Sequence, residues 1–116
     1  MSTSSEQVMR SMVRMFATGD VASVVEVVAD EYHDHQGLRG TEIRGPEGFR
    51  LVVDTARRSI RGLSVTIEDL ITDGDRVAAR IRWQGHSPSG DPVDRETIDV
   101  VHVRSGRAVE HWGAQL

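Results

Sequence analysis

The spacing at which apolar residues recur in this 116-residue chain changes at Gly62, and this change limits the folds that the chain can adopt. Before Gly62, apolar residues recur three or four positions apart, which is the spacing of one helix face. After Gly62 they alternate with polar residues, as in a strand with one buried face. Helices followed by an antiparallel sheet indicate the α+β class, and a chain of this length holds about one domain. We therefore expect residues 1–116 to form a single domain.

Two helices are predicted in the first 30 residues. Ser4 and Gln7 have the spacing of a capping box, and Gly19 can supply the left-handed residue that ends a helix. Asp20 is a suitable N-cap for a second helix, whose valines continue to Val28. Because valine has a modest helix propensity, packing must hold this second segment helical.

The rest of the chain is predicted to hold a third helix and then strands. The polar stretch Tyr32–Gly37 is expected to lead into a loop, and Gly45-Pro46 then opens a helix that ends at Gly62. Beyond it, Asp73-Gly74 and Ser105-Gly106 are turn sequences between strands of alternating hydrophobicity.

Composition and charge exclude several classes of function. The chain has no cysteine, so disulfides and thiolate chemistry are excluded, and its net charge of −4 argues against a nucleic-acid partner. The first residues do not resemble a signal peptide, and no apolar run has membrane-spanning length. We therefore expect a soluble cytoplasmic protein without a membrane partner.

The last predicted hairpin suggests which side chains meet. A two-residue turn at Ser105-Gly106 would pair Asp99 with Trp112 and place both on one face, with His102 and His111 on the other face. Burial disfavours the ionised form of a carboxyl group, so Asp99 among valines is expected to be protonated and able to donate or transfer a proton. The alternative is that Asp99 caps a loop or pairs with an arginine.

Six segments together resemble the SnoaL-like polyketide cyclases, a family within the nuclear transport factor 2-like superfamily. They are Gly19-Asp20, Glu31-Tyr32-His33-Asp34-His35, Gly45-Pro46-Glu47-Gly48, Ile67-Glu68-Asp69, Gly74-Asp75-Arg76-Val77-Ala78 and Glu110-His111-Trp112. The resemblance covers nearly the whole chain. It implies a cone-shaped fold, in which three N-terminal helices pack on a curved and mainly antiparallel sheet. It also implies an internal cavity and a homodimer formed through the sheet.

The same resemblance implies a chemistry. SnoaL-like cyclases close a ring by aldol condensation without a metal or an organic cofactor. Their acid/base carboxylate follows the His-Trp pair, where this chain has Gly113, while their histidine after the second helix is retained as His35. Glycine cannot transfer a proton, so the departure at Gly113 bears directly on the mechanism.

Ketosteroid isomerases, which belong to the same superfamily, suggest roles for two aspartates of this chain. Asp99 resembles their protonated aspartate, which donates to an oxyanion, and Asp34 resembles their general base. Their oxyanion tyrosine falls near Met12, which cannot donate a hydrogen bond.

These observations predict a small-molecule enzyme of the cyclase or isomerase type that acts on an apolar, polycyclic substrate. The predicted catalytic residues are Asp99, Asp34 and His35, and the predicted substrate contacts are Trp83, Trp112, Met12 and Phe16. We expect no cofactor, and no metal despite His33, His35 and His86. The alternatives are an epoxide hydrolase, a cofactor-independent hydroxylase, or a non-catalytic module for ligand binding or dimerisation.

Overall fold

The structure is a computed structural model, and it is described for residues 3–38 and 40–116. The elements in chain order are α1 (Ser5–Thr18), α2 (Val24–Val27), β1 (Val28–Leu38), β2 (Thr41–Arg44), α3 (Gly45–Ser59), β3 (Arg61–Asp73), β4 (Arg76–His86), β5 (Pro92–Arg104) and β6 (Arg107–Gln115). The six strands form one sheet in the order β2-β1-β6-β5-β4-β3. Of the strand pairs formed by the described residues, only β1–β6 is parallel. The predicted α+β class, with N-terminal helices on a mainly antiparallel sheet, is confirmed.

The first helix ends as the sequence predicts. Ser4 and Gln7 form the capping box of α1, and Gly19 closes the helix in a left-handed conformation with φ of 77°. The apolar side of α1 packs on the inner face of the sheet, where it contributes Val8 and Met12 to the core.

The second helix is much shorter than predicted, and the segment predicted to lead into a loop is a strand. Asp20 accepts a hydrogen bond from the Ala22 backbone but starts no helix, and α2 spans only Val24–Val27. The chain is extended from Val28, because β-branched residues favour strands. The Tyr32–Gly37 segment therefore lies inside β1 rather than in a loop.

The third helix packs across the same inner face. Pro46 lies in its first turn, and the helix ends at Ser59, three residues before the predicted Gly62. The helix contacts β1 and α1, and its Phe49 and Val53 are buried in the same core as Val77 and Ile81 of β4. Among the described residues, no helix is long and apolar enough to cross a membrane.

Candidate functional site

A cavity of about 320 Å³ lies between α1, α3 and the inner face of the sheet. Its lining is mainly apolar, and five predicted residues contribute to it: Met12, Phe16, Asp34, Trp83 and Asp99. A concave apolar space with a few polar groups is the usual form of a small-molecule site. The structure therefore brings together five of the seven residues predicted for the site.

The aromatic wall of the cavity is fixed by packing. The Phe16 ring meets the rings of Phe49 and Trp83 edge to face, with centroids 5.5 and 5.0 Å apart. The Trp83 indole nitrogen donates a hydrogen bond of 2.9 Å to the hydroxyl of Thr97. Phe16 and Trp83 are thus held in defined orientations and present apolar surface to a ligand.

A β-bulge in β6 changes which side chains enter the cavity. Val103 pairs with Ala108, but His102 pairs with Glu110, so Val109 is an extra residue in the strand. An extra residue reverses the side on which all later side chains point. Asp99 consequently lies opposite Gly113 rather than Trp112.

The bulge overturns the predicted position of His111. We expected His111 on the opposite face from Asp99, but its Nε2 lies 2.7 Å from Oδ1 of Asp99. Its Nδ1 lies 2.7 Å from Oδ1 of Asp34, which the parallel pairing of β1 with β6 places beside it. Asp34, His111 and Asp99, here called the inner triad, are all buried.

The inner triad favours a charged imidazole between two carboxylates. Both ring nitrogens of a histidine can donate only when the ring is protonated. Burial alone would lower the pKa of His111, but its hydrogen bonds to Asp34 and Asp99 and their negative charges outweigh burial and raise it to about 9. Burial would likewise raise the pKa of Asp34, but His111 and the backbone amides of Gln36 and Gly37 lower it overall.

Hydrogen bonds occupy three of the four carboxylate oxygens in the inner triad and leave the fourth available to a ligand. Oδ1 of Asp99 lies 2.7 Å from Nε2 of His111, and its Oδ2 accepts a hydrogen bond from the Thr97 hydroxyl, so both oxygens of Asp99 have partners. Oδ1 of Asp34 accepts from His111 and from the backbone amide of Gln36. Within residues 3–38 and 40–116, Oδ2 of Asp34 has no hydrogen-bond partner.

Tyr32 is a cavity residue that the sequence reasoning missed. It precedes Asp34 by two residues in β1, so both side chains point to the inner face, and both line the cavity. Burial and the nearby Asp34 and Asp99 charges raise the pKa of Tyr32 far above its usual range. Its hydroxyl therefore stays protonated and can donate a hydrogen bond at any pH near neutrality.

Two predicted residues do not reach the cavity. The bulge sends Trp112 to the outer face of the sheet, and His35, alternating with Asp34, also lies there. The two rings stack with centroids 4.8 Å apart and an interplanar angle of 6°. His35 also contacts Glu110, with Nε2 3.0 Å from Oε2. Neither His35, predicted to be catalytic, nor Trp112, predicted to contact the substrate, therefore lines the cavity.

Gly113 occupies a position where no side chain fits. A Cβ atom there would lie 2.5 Å from Oε1 of Gln36 and 2.8 Å from Oδ1 of Asp99. The space that the resemblance assigned to a catalytic carboxylate on residue 113 is thus filled by Asp99 and Gln36. Within the described part of the chain, no group of three His, Asp or Glu side chains is arranged to hold a metal ion.

A sequence model of the SnoaL-like polyketide cyclase family matches residues 6–115, almost the whole chain. The chain belongs to this family. No curated protein matches the chain.

Solved structures share the fold of this SnoaL-like chain. A provisionally assigned polyketide cyclase from Bacillus cereus ATCC 10987 is 26% identical with a TM-score of 0.81, over 96% of this chain and 71% of that one. A SnoaL-like polyketide cyclase from Agrobacterium tumefaciens C58 is 16% identical with a TM-score of 0.83, over 100% and 93%. A protein with a ketosteroid isomerase-like fold from Catenulispora acidiphila is 15% identical with a TM-score of 0.79, over 93% and 84%.

Proposed function

We propose that this SnoaL-like chain is a cyclase or isomerase that performs acid/base chemistry on an apolar, polycyclic carbonyl compound, using its own side chains. The observation that carries the proposal is the inner triad at the wall of an apolar cavity. It holds Asp34 ionised, with Oδ2 left to accept a proton. Catalytic groups are commonly found where burial and charged neighbours perturb their titration.

The proposed first step is removal of a proton next to the substrate carbonyl. Oδ2 of Asp34 accepts the proton, the C–H bond breaks, and its electron pair forms an enolate. The Tyr32 hydroxyl donates a hydrogen bond to the enolate oxygen, which is the role that Met12 cannot fill. His111 and Asp99 keep Asp34 oriented during the transfer.

The second step returns the proton. In an isomerisation, Asp34 delivers it to another carbon of the same enolate. In an aldol cyclisation, the enolate carbon attacks a second carbonyl, a C–C bond forms, and the new alkoxide takes the proton from Asp34. Both routes balance without any further reactant, and both use one carboxylate as base and then as acid.

The non-catalytic alternative predicts a different environment for the carboxylates. In a simple binding module, we expected Asp34 and Asp99 to pair with arginines such as Arg80 or Arg82. Those arginines instead bind carboxylates on the outer face, and the cavity carboxylates share one buried histidine. Burying three ionisable groups together is costly, and apolar packing would serve ligand binding alone at lower cost. The homodimer through the sheet stays a prediction.

Proton exchange tests the proposal without knowledge of the natural substrate. The protein is incubated with 1-tetralone in D₂O, and deuterium at the carbon next to the carbonyl is followed by mass spectrometry. We expect exchange above the buffer rate, and a loss of about 100-fold or more in Asp34→Asn, the usual contribution of a general base. His35→Gln, which alters the outer face only, should retain the rate.

Three outcomes decide between the candidates. An Asp34→Asn variant that folds normally and exchanges at the native rate would remove Asp34 from the mechanism. Hydrolysis of a cyclic epoxide such as indene oxide, without ketone exchange, would favour the epoxide hydrolase alternative. Ligand binding with neither reaction would favour the binding module.

A further inference from the structure

One arginine faces the cavity and differs from its neighbours in the sheet. Along β5, alternate residues point inward, so Arg95 shares the inner face with Thr97 and Asp99, and all three line the cavity. Arg95 is exposed and pairs across the sheet with Trp83. It therefore lies where the aromatic wall of the cavity meets solvent.

The outward-pointing arginines nearby are neutralised by carboxylates. Arg80 donates to Asp69 at 2.6 Å and to Glu96 at 3.1 Å, and Arg82 donates to Asp94 at 2.8 and 2.9 Å. Arg95 has no ion pair and no side-chain hydrogen bond with any residue in the ranges 3–38 and 40–116. Its guanidinium is thus the one positive charge of the cavity lining that no described carboxylate offsets.

Charge differs between the two ends of the cavity. The inner triad, with two carboxylates and one imidazolium, has a net charge of −1 and repels an anion. Arg95 attracts an anion at the mouth and can bind a carboxylate through two parallel N–H donors. The two charges therefore impose one direction of entry on a molecule that has an acidic group at one end.

The spacing limits the size of such a molecule. Arg95 and Asp99 are four residues apart in one strand, so their Cα atoms lie about 13 Å apart. Because side chains stand roughly perpendicular to a sheet, this separation suits a fused ring system with an acidic substituent that lies along the strand between the two groups. The walls of Phe16 and Trp83 are flat and apolar, as such rings require.

We propose that Arg95 binds an anionic group, such as a carboxylate, at the solvent end of an apolar ring substrate and thereby directs the opposite end to Asp34. This inference rests on the proposed function, for which it names the substrate class. Arg95 is in this view a substrate-binding residue and takes no part in proton transfer. Its removal should weaken binding of acids while leaving neutral ligands of the same shape unaffected.

The test compares two probes that differ in charge but hardly in shape, 2-naphthoate and 2-naphthamide. Calorimetric titration measures their affinities for the native chain, for Arg95→Gln, and for the control Arg82→Gln, whose arginine points outward. We expect Arg95→Gln to weaken 2-naphthoate binding at least fivefold and to change 2-naphthamide binding by less than twofold. Arg82→Gln should change neither. The native preference for 2-naphthoate should also fall as NaCl is raised.

Other results would overturn the inference. Equal losses for both probes would mean that Arg95 only packs against the ring. Unchanged 2-naphthoate binding in Arg95→Gln, or binding of neither probe to the native chain, would mean that Arg95 recognises no such acid. These readouts involve no turnover, so they are independent of the proton-exchange test. Exchange of 1-tetralone with no charge preference in binding would remove this inference and leave the proposed function standing.

Discussion

Each face of the sheet carries a group of histidine and carboxylate side chains. The distances between ring nitrogens and carboxylate oxygens are similar in the two groups. On the inner face, the inner triad joins Asp34, His111 and Asp99 through contacts of 2.7 Å. On the outer face, an outer chain of four residues has contacts of 3.0 to 3.2 Å between each histidine and its carboxylates. Its members are His35, Glu110, His102 and Asp75.

The inner triad and the outer chain differ in their exposure to solvent, and therefore in how strongly their charges interact. The side chains of Asp34 and His111 are 5% and 11% exposed, whereas those of Glu110 and Asp75 are 35% and 64% exposed. Water and salt screen the outer charges, while the buried inner charges interact through a medium of low polarity. Similar residue types at similar distances should therefore act differently, and only the inner triad should dominate stability and titration.

The largest expected effect comes from removing the central histidine of the inner triad. His111→Gln leaves two buried carboxylates without a cation, which costs about 3–5 kcal/mol of unfolding free energy. The matched outer variant, His35→Gln, should lose less than a third as much. Urea denaturation of both variants measures the difference, and equal losses would mean that burial does not separate the two faces.

The next effect is a loss of stability in alkaline solution. The folded pKa of His111, about 9, lies above its unfolded value of 6.5, so the folded state binds the proton more tightly. Its contribution is fully present below pH 6.5 and is lost as pH rises through 9, at a total of about 3 kcal/mol.

Denaturation at several pH values between 6 and 10 measures this loss, and His111→Gln should show almost none of it. The outer chain acts in a different range, because hydrogen bonds from His35 and His102 lower the pKa of Glu110. That contribution is present above pH 4.5 and is lost as pH falls. A native chain equally stable at pH 6.5 and 9.5 would contradict a protonated His111.

The fold could largely be predicted from the sequence, because the change of hydrophobic period at Gly62 is visible residue by residue. Asp34 and Asp99 were also recognised, Asp99 from its position among valines in a predicted strand and both from their resemblance to ketosteroid isomerase positions. The length of α2 was not predictable in the same way. Its valines suit a helix face and a strand about equally, and contacts with α3 and β1 decide between them.

His111 was assigned to the wrong face because the prediction assumed strict alternation through β6. The signal was present in Ala108-Val109, two consecutive apolar residues, which are both buried in the structure. Such a pair can mark a bulge, but a single sequence does not show whether Val109 is extra or simply half-exposed. Tyr32 was missed for a related reason, because its segment was interpreted as the approach to a loop.

A smaller effect is expected where the bulge brings Gly113 against the inner triad. In Gly113→Ala the new methyl group would press on Oδ1 of Asp99 and on the Gln36 amide. Gln36 can move, but His111 and Thr97 hold Asp99, so we expect a loss of about 1–2 kcal/mol.

Denaturation of Gly113→Ala and of the double variant Gly113→Ala/Gln36→Ala tests which contact matters. If Asp99 is the obstacle, removing the Gln36 amide should recover only a small part of the loss. Full recovery would place the obstacle at Gln36, and a fully stable Gly113→Ala would show that the inner triad tolerates a neighbouring side chain.

The smallest effect should come from removing one carboxylate from the outer chain. Glu110→Gln keeps the shape of the side chain, and both Glu110 and its neighbour His35 are about one-third exposed to water. We expect a change in the urea midpoint close to experimental error, and less still in 0.5 M NaCl, because salt already screens the exposed charges. Asp34→Asn, the matched change in the inner triad, should shift the midpoint clearly and by a similar amount at both salt concentrations. If Glu110→Gln proved as damaging as Asp34→Asn, the outer face would have to be shielded from water in solution, as a second copy of the chain would shield it.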